Sequence, residues 1–227
     1  MENNKQIFQK KIELFLMLVI ISFILIQAII NNDSVIALIS AVCGITYTFF
    51  AGKGYPFCYL FGLSGSGFYS FLAFQNSLWG NLILYLFYYI PMQIIGYHKW
   101  NKNLKTNTSE IIKVSLSKKE LLVLILILSV LTTITYFILL YYKDSHPILD
   151  SVTTVFSIGG MYLTVKRAIE QWIFWAVVNG LSVLMWINVV LSGAKAYSTL
   201  IMWAVYFFLA IYFYIQWKKE LAGNNIN

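Results

Sequence analysis

Glu170-Gln171-Trp172-Ile173-Phe174-Trp175-Ala176-Val177-Val178-Asn179-Gly180-Leu181-Ser182-Val183-Leu184-Met185-Trp186-Ile187-Asn188-Val189-Val190-Leu191 is the best-bounded apolar run in the chain. Lys166, Arg167 and Glu170 stand before its core and Ser192-Gly193 follows it. A helix of about twenty residues is about 30 Å long, the thickness of the hydrocarbon layer of a bilayer. The run is apolar all round and lacks the alternation of a membrane barrel strand, so it reads as a transmembrane helix.

Working outward, similar runs occur at 12–30, 34–51, 55–75, 79–98, 120–142, 149–165 and 197–217, which with 170–191 predicts eight spans. The third and fourth are separated only by Asn76-Ser77-Leu78. The run near the N-terminus has no A-x-A-like cleavage site after it and reads as a retained helix. Composition agrees: 59% of the 227 residues are hydrophobic and only 11% charged, against about a quarter charged in soluble domains. A soluble fold of this size has no place to bury that much apolar surface. The fold class is therefore an all-α membrane protein.

The net charge of +7 raises nucleic acid as a partner, but basic residues in loops between membrane spans explain it better, and no nucleic-acid role is expected. With an even number of spans and the N-terminus in the cytoplasm, the cytoplasmic segments hold Lys5, Lys10, Lys11, Lys53, Lys99, Lys102, Lys105, Lys113, Lys118, Lys119, Lys166, Arg167, Lys218 and Lys219. The opposite side holds only Lys143 and Lys195. That asymmetry predicts both termini in the cytoplasm.

The polar stretch 99–119 divides the chain, and a shift of 117 residues aligns its two sides. Asp33-Ser34-Val35 falls on Asp150-Ser151-Val152, Tyr97 on Tyr214 and Trp100 on Trp217. Ten of the 68 paired positions are identical, against about five expected by chance in so biased a composition. The implied organisation is a tail and extra helix (1–32), a three-helix repeat (33–100), a cytoplasmic loop and linking helix (101–148), a second repeat (149–219) and a tail (220–227). Four crossings separate equivalent helices, so the repeats are parallel. Parallel repeats of this kind are a transporter arrangement, with substrate held between them near mid-membrane.

The cores of the spans contain no Asp, Glu, Lys or Arg. That argues against a proton relay and against a highly charged cargo. No P-loop, HExxH, GxSxG or acid pair is present, so no enzyme activity, cofactor or metal site is expected. Cys43 and Cys58 read as small core-filling residues, and His98 and His146 as solvated loop-end residues.

What the spans do carry is neutral polarity. Trp172, Trp175, Asn179, Ser182 and Trp186 lie three or four residues apart and share one helix face. Indoles there would stack on a flat ring while Asn179 bonds its amide or hydroxyls. Trp172 and Trp186 fit interface anchors equally well, but Trp175 with Asn179 one turn deeper does not. A second stripe runs Asn81, Tyr85, Tyr88 or Tyr89, Met92 and Gln93, with Pro91 expected to kink the helix. Hydroxyls bonded between helices are the alternative role there. In the third span Gly62, Ser64, Gly65, Ser66 and Gly67 favour close helix packing, and Tyr69 and Gln75 are candidates to face the path.

Glu170-Gln171-Trp172-x-x-Trp175, Asn179 a turn later, Tyr89-x-Pro91-Met92-Gln93-x-x-Gly96 and an aromatic last helix ending at Trp217 together resemble the Pnu family of bacterial vitamin transporters, over about residues 33–219. The resemblance implies an eight-helix fold with a parallel 3+1+3 duplicated bundle, related to SWEET sugar transporters, in the bacterial inner (plasma) membrane, and a homotrimer. It implies import of nicotinamide riboside by facilitated diffusion, with trapping by a cytoplasmic kinase. It maps Trp172, Trp175, Asn179 and Gln93 onto substrate contacts; the two stripes add Tyr85, Tyr89 and Trp186, and the third span adds Tyr69. The chain departs from the family pattern at Gly65, Tyr85 and Leu209, where many nicotinamide riboside members carry Asn, and at Phe213, where they carry Gly. The family also includes carriers of thiamine, riboflavin and deoxynucleosides, which is the second expectation for the cargo. A membrane assembly protein without transport is a third.

Overall fold

The computed structural model describes residues 2–31, 34–75, 79–144, 146–192 and 197–224. Asp33, the Asn76-Ser77-Leu78 turn and Lys195 lie outside the described residues, as does the side chain of Asn81. Among the described residues no strand forms, and eight helical segments match the eight apolar runs one for one. They are α1 (Glu2–Asn31), α2 (Val35–Lys53), α3 (Cys58–Gln75), α4 (79–101), α5 (Lys118–Tyr141), α6 (Pro147–Lys166), α7 (Gln171–Leu191) and α8 (Tyr197–Asn224). Four are long and apolar enough to cross a membrane on length and composition alone: Ile12–Ile30 in α1, all of α5, all of α6, and Leu200–Gly223 in α8. The chain is a multi-pass membrane protein.

Helix ends follow local chemistry. Ser117 caps α5: its hydroxyl accepts from Glu120 N at 3.2 Å, while Glu120 Oε2 accepts from Ser117 N at 2.9 Å. This reciprocal box satisfies amides that a helix start would otherwise leave bare. Pro147 opens α6, where its missing N–H costs nothing. Arg167 ends α6 in the left-handed region at φ 65°. The kink expected at Pro91 takes another form, a widened turn. Residues Tyr85–Tyr89 of α4 are π-helical, and Ile90 N donates to Tyr85 O. In a regular α-helix the proline ring would press on the carbonyl four residues back, and the wider turn immediately before it relieves that.

The chain divides into two compact units, Met1–Ala51 with Phe57–Pro91, and Gly52–Pro56 with Met92–Asn227. In the first, α3 packs on α2 through Gly65. A Cβ there would stand 3.1 Å from Cys43 Cβ, and Ser40 Oγ donates to Gly65 O at 3.1 Å. The small residues of the third span thus include one with a true packing duty, whereas a Cβ on Gly67 would meet nothing within 4 Å.

In the second unit α5, α6 and α7 pack in sequence around Leu128, Val155, Leu163, Ala168 and Phe174. Leu128 is the one buried residue of α5, and most of that helix's other large apolar side chains are exposed. Apolar surface of that extent faces lipid or another protein rather than water. The polar loop 102–117 is stitched to the helix ends. Ile111 N donates to Gly54 O at 2.9 Å, Val114 N to Arg167 O at 3.0 Å, and Ile169 N to Val114 O at 2.9 Å. Glu170 Oε1 accepts from Ser115 Oγ at 2.6 Å and from Leu116 N at 3.0 Å. Gly54 sits at φ 77°, a conformation that a side chain would strain. The ammonium groups of Lys105 and Lys113 both bind Glu220 near the end of α8.

Two fully buried tryptophans close this unit. Trp100 Nε1 donates to Thr164 O at 2.9 Å, and Trp217 Nε1 donates to Gly52 O at 2.6 Å. These are the two residues aligned by the 117-residue shift. Each bonds a carbonyl at the end of the first helix of the opposite sequence block.

Candidate functional site

The face of α7 chosen from sequence points into the protein. Trp172, Asn179 and Ser182 are buried, and Trp175 and Trp186 are half-buried. Ile173, Val177, Leu184 and Ile187 on the other side are exposed. Helical spacing alone produces this separation, because residues three and four apart stack on one side.

The indoles within the stripe are held differently. Trp175 Nε1 donates to Thr164 Oγ1 at 3.1 Å, and that hydroxyl in turn donates to Gly160 O at 2.8 Å. The Trp175 ring lies over Gly160, where a Cβ would come within 3.1 Å of it. This indole is thus located by one hydrogen bond and one close contact while part of it stays accessible. Trp172 is instead 3% exposed and walled by rings. The Phe213 centroid is 5.2 Å away and the Trp217 centroid 5.6 Å, nearly perpendicular. Phe213 itself fills the space over Gly52, where a Cβ would fall 2.3 Å from its ring. Among the described residues the buried donors Trp172 Nε1 and Gln171 Nε2 find no hydrogen-bond partner. An unpaired donor in such a place costs about 1–3 kcal/mol, so a polar group or water that visits them is bound favourably. Asn179, 6% exposed, brings a further amide one turn along from Trp175. Gln93 is also buried in this unit, on α4.

The other expected residues meet in the first unit. Tyr69 of α3 packs on Tyr85 of α4 with centroids 4.4 Å apart, and Tyr85 on Tyr89 at 4.8 Å. The π turn carries both Tyr85 and Tyr89. The three rings form a continuous aromatic chain, with Tyr89 the most buried.

Sequence reading missed Thr164 as the partner of Trp175, and Phe213 as the lid over Gly52. Thr164 looks like any hydroxyl in an apolar run. The signal for Phe213 was present only as a departure from the family pattern.

Chemically, the α7 stripe offers aromatic faces and neutral hydrogen-bonding groups in a span whose core lacks ionised side chains. Such a surface binds a flat heteroaromatic ring with amide or hydroxyl substituents. Among the described residues no cluster of His, Cys, Asp or Glu is placed to hold a metal ion.

Comparison with known proteins gives a consistent answer. The sequence profile of the family described as "Nicotinamide mononucleotide transporter" matches residues 34–219. A nicotinamide riboside transporter PnuC from Neisseria mucosa is 34% identical, with 88% of this chain and 79% of that protein aligned. The protein of the same name from Haemophilus influenzae is 29% identical, with 85% and 83% aligned. A crystal structure of the vitamin B3 transporter PnuC superposes with a TM-score of 0.78 at 31% identity, covering 92% of this chain and 91% of that one.

Proposed function

Because the chain belongs to the nicotinamide mononucleotide transporter family, we propose that it imports nicotinamide riboside by facilitated diffusion across the bacterial inner membrane. A cytoplasmic kinase then phosphorylates the cargo and traps it. The observation that carries this reading is the α7 stripe. Trp175, anchored by Thr164, and the buried Asn179 line one face of a span whose core is free of ionised groups. The pyridinium ring of nicotinamide riboside is flat and cationic. An indole face attracts such a ring without a buried carboxylate, and amides such as Asn179 and Gln93 suit its carboxamide and ribose. Downhill movement needs no ion coupling, which agrees with spans that lack a carboxylate relay.

In the same proposal the fold is a SWEET-like 3+1+3 duplicated bundle preceded by α1, with both termini cytoplasmic, assembled as a homotrimer. The matched hydrogen bonds of Trp100 and Trp217 support the duplication. Trp172, Trp175, Asn179 and Gln93 contact substrate, and Tyr69, Tyr85, Tyr89 and Trp186 line its path. The chain is a carrier, and enzyme activity has no part in the reading.

One observation favours a second reading. Phe213 is packed against Trp172 at a position where many nicotinamide riboside carriers have Gly, and the changed shape of the site there suits a different precursor such as thiamine, riboflavin or a deoxynucleoside. Uptake into proteoliposomes separates the two. Saturable equilibration of labelled nicotinamide riboside without an imposed gradient is expected. Uptake of a deoxynucleoside or thiamine in its place moves the chain to the second reading. Accumulation above equilibrium that requires sodium or protons overturns the facilitator mechanism.

A further inference from the structure

Where α5 begins and α6 ends, the loop leaves a cavity of about 330 Å³ lined by Lys99, Asn103, Ser115, Glu120, Lys166 and Arg167 among others. Nothing in the transport reading uses it. Pockets of about 300 Å³ and above accommodate small ligands, and this one brings three cations against a single carboxylate. Glu120 is already engaged. One oxygen accepts from Ser117, and the other is 3.7 Å from Lys166 Nζ. Arg167 uses one Nη1 hydrogen on Ile112 O at 2.7 Å, and the rest of its fork remains for an anion. The backbone of Arg167 is left-handed at φ 65°, where Gly or Asn would be the cheaper residue for a helix end. That cost is accepted at a position whose side chain reaches the cavity.

The cavity's place selects the anion. Lys118 starts α5 and Lys166 ends α6, and both helices are apolar enough to cross a membrane. The cavity therefore lies at the polar margin of two spans. Just below it, α5 presents Leu122, Val123 and Leu126 outward, each about half exposed or more. Basic pockets at such margins recognise phosphate headgroups, and Arg and Lys supply forked and point-charge contacts to phosphate oxygens.

We propose that this cavity is a phosphate-binding site for the headgroup of an anionic phospholipid, whose acyl chains lie along the exposed face of α5. The site ties the end of α4 to the end of α6 through Lys99, Lys166 and Arg167.

The test is a lipid titration of the full-length purified protein in a neutral detergent, read by melting temperature and by native mass spectrometry. Short-chain phosphatidylglycerol is expected to raise the melting temperature and to remain bound, while phosphatidylcholine of the same chain length does neither. Lys99→Gln and Lys166→Gln each weaken the phosphatidylglycerol response about fivefold, which corresponds to about 1 kcal/mol per basic side chain near a membrane surface. Among the described residues the Lys99 ammonium makes no hydrogen bond or ion pair, so its variant remains informative if Lys166→Gln unfolds. Equal responses to the two lipids, or a full response in Lys99→Gln, overturn the proposal. If inorganic phosphate reproduces the stabilisation and displaces phosphatidylglycerol, the phosphate site stands but the lipid as its occupant is overturned.

Discussion

Gly159 and Gly160 are neighbours on α6, yet a methyl group on each would have opposite consequences. At Gly160 an added Cβ comes 3.1 Å from the Trp175 ring, so the indole must shift by a few tenths of an ångström. The shift strains the 3.1 Å bond to Thr164 Oγ1, which locates this ring. Losing one such bond costs about 0.5–1.5 kcal/mol, and overpacking adds about 1 kcal/mol. If substrate stacks on Trp175, a displacement worth about 1.5–2.5 kcal/mol weakens binding about ten- to seventyfold. At Gly159 the Cβ meets Leu128 Cδ1 at 2.8 Å and the Phe174 ring at 3.0 Å, on the packing seam between α5 and α7. Gly159→Ala should therefore lower stability by about 1–3 kcal/mol through overpacking and leave the affinity of the folded fraction unchanged. The assay is calorimetric titration of nicotinamide riboside onto each purified variant, with melting temperature measured in parallel. Wild-type affinity in Gly160→Ala refutes the placement of Trp175 in the site. An equal affinity loss in both variants refutes the division of α6 into a site face and a packing face.

Three further outcomes follow from the same geometry. Asn179→Ala and Trp175→Ala should each weaken nicotinamide riboside binding about tenfold or more, since the first removes an amide that hydrogen-bonds the ligand and the second the indole face on which its ring stacks. Near-normal melting temperatures must accompany the loss, and unchanged affinity in both variants sinks the stripe. Trp217→Phe strips the buried Gly52 carbonyl of its donor and should destabilise the protein by about 1–3 kcal/mol. A melting temperature equal to wild type would show that this bond contributes nothing. For pH, burial tends to raise the Glu220 carboxyl, but the hydrogen bonds and charges of Lys105 and Lys113 outweigh it and hold it below the usual carboxylate range. Lys105, desolvated but paired more strongly with Glu220, shifts up, whereas burial wins at Lys113 and pushes it down. A carboxyl depressed in the folded state adds stability that is complete above its unfolded pKa and lost as pH falls through its folded one. Melting curves of wild type should thus lose stability below about pH 4, and Glu220→Gln should be less stable near neutrality with a flatter acid limb. Parallel curves for the two proteins argue against the ion cluster as a clasp.

The helices are legible in the amino-acid sequence. Each apolar run became a helix, and the alternation of inward and outward residues on α7 appeared as its spacing implied. Pro91 was legible as a disturbance, but its form was not. Whether a proline bends a helix or widens the turn before it depends on the packing of its neighbours, here Tyr85 against Tyr69 and Tyr89. The loop at 102–117 was legible only as polar, because its order comes from partners far away in sequence, at Gly54, Arg167, Glu170 and Glu220.

By itself the sequence determined that this chain crosses a membrane as helices and that the cores of its spans are polar in places but not charged. Both are sums over neighbouring residues, and transfer into lipid is governed by such local sums. Only the tertiary structure decided that Trp175 is pinned by Thr164 over Gly160, and that Trp172 is enclosed by Phe213 and Trp217. A hydrogen bond or ring contact depends on where two separately folded helices bring their side chains within a few ångströms. Two indoles three residues apart on one helix therefore look alike in sequence and differ in the fold.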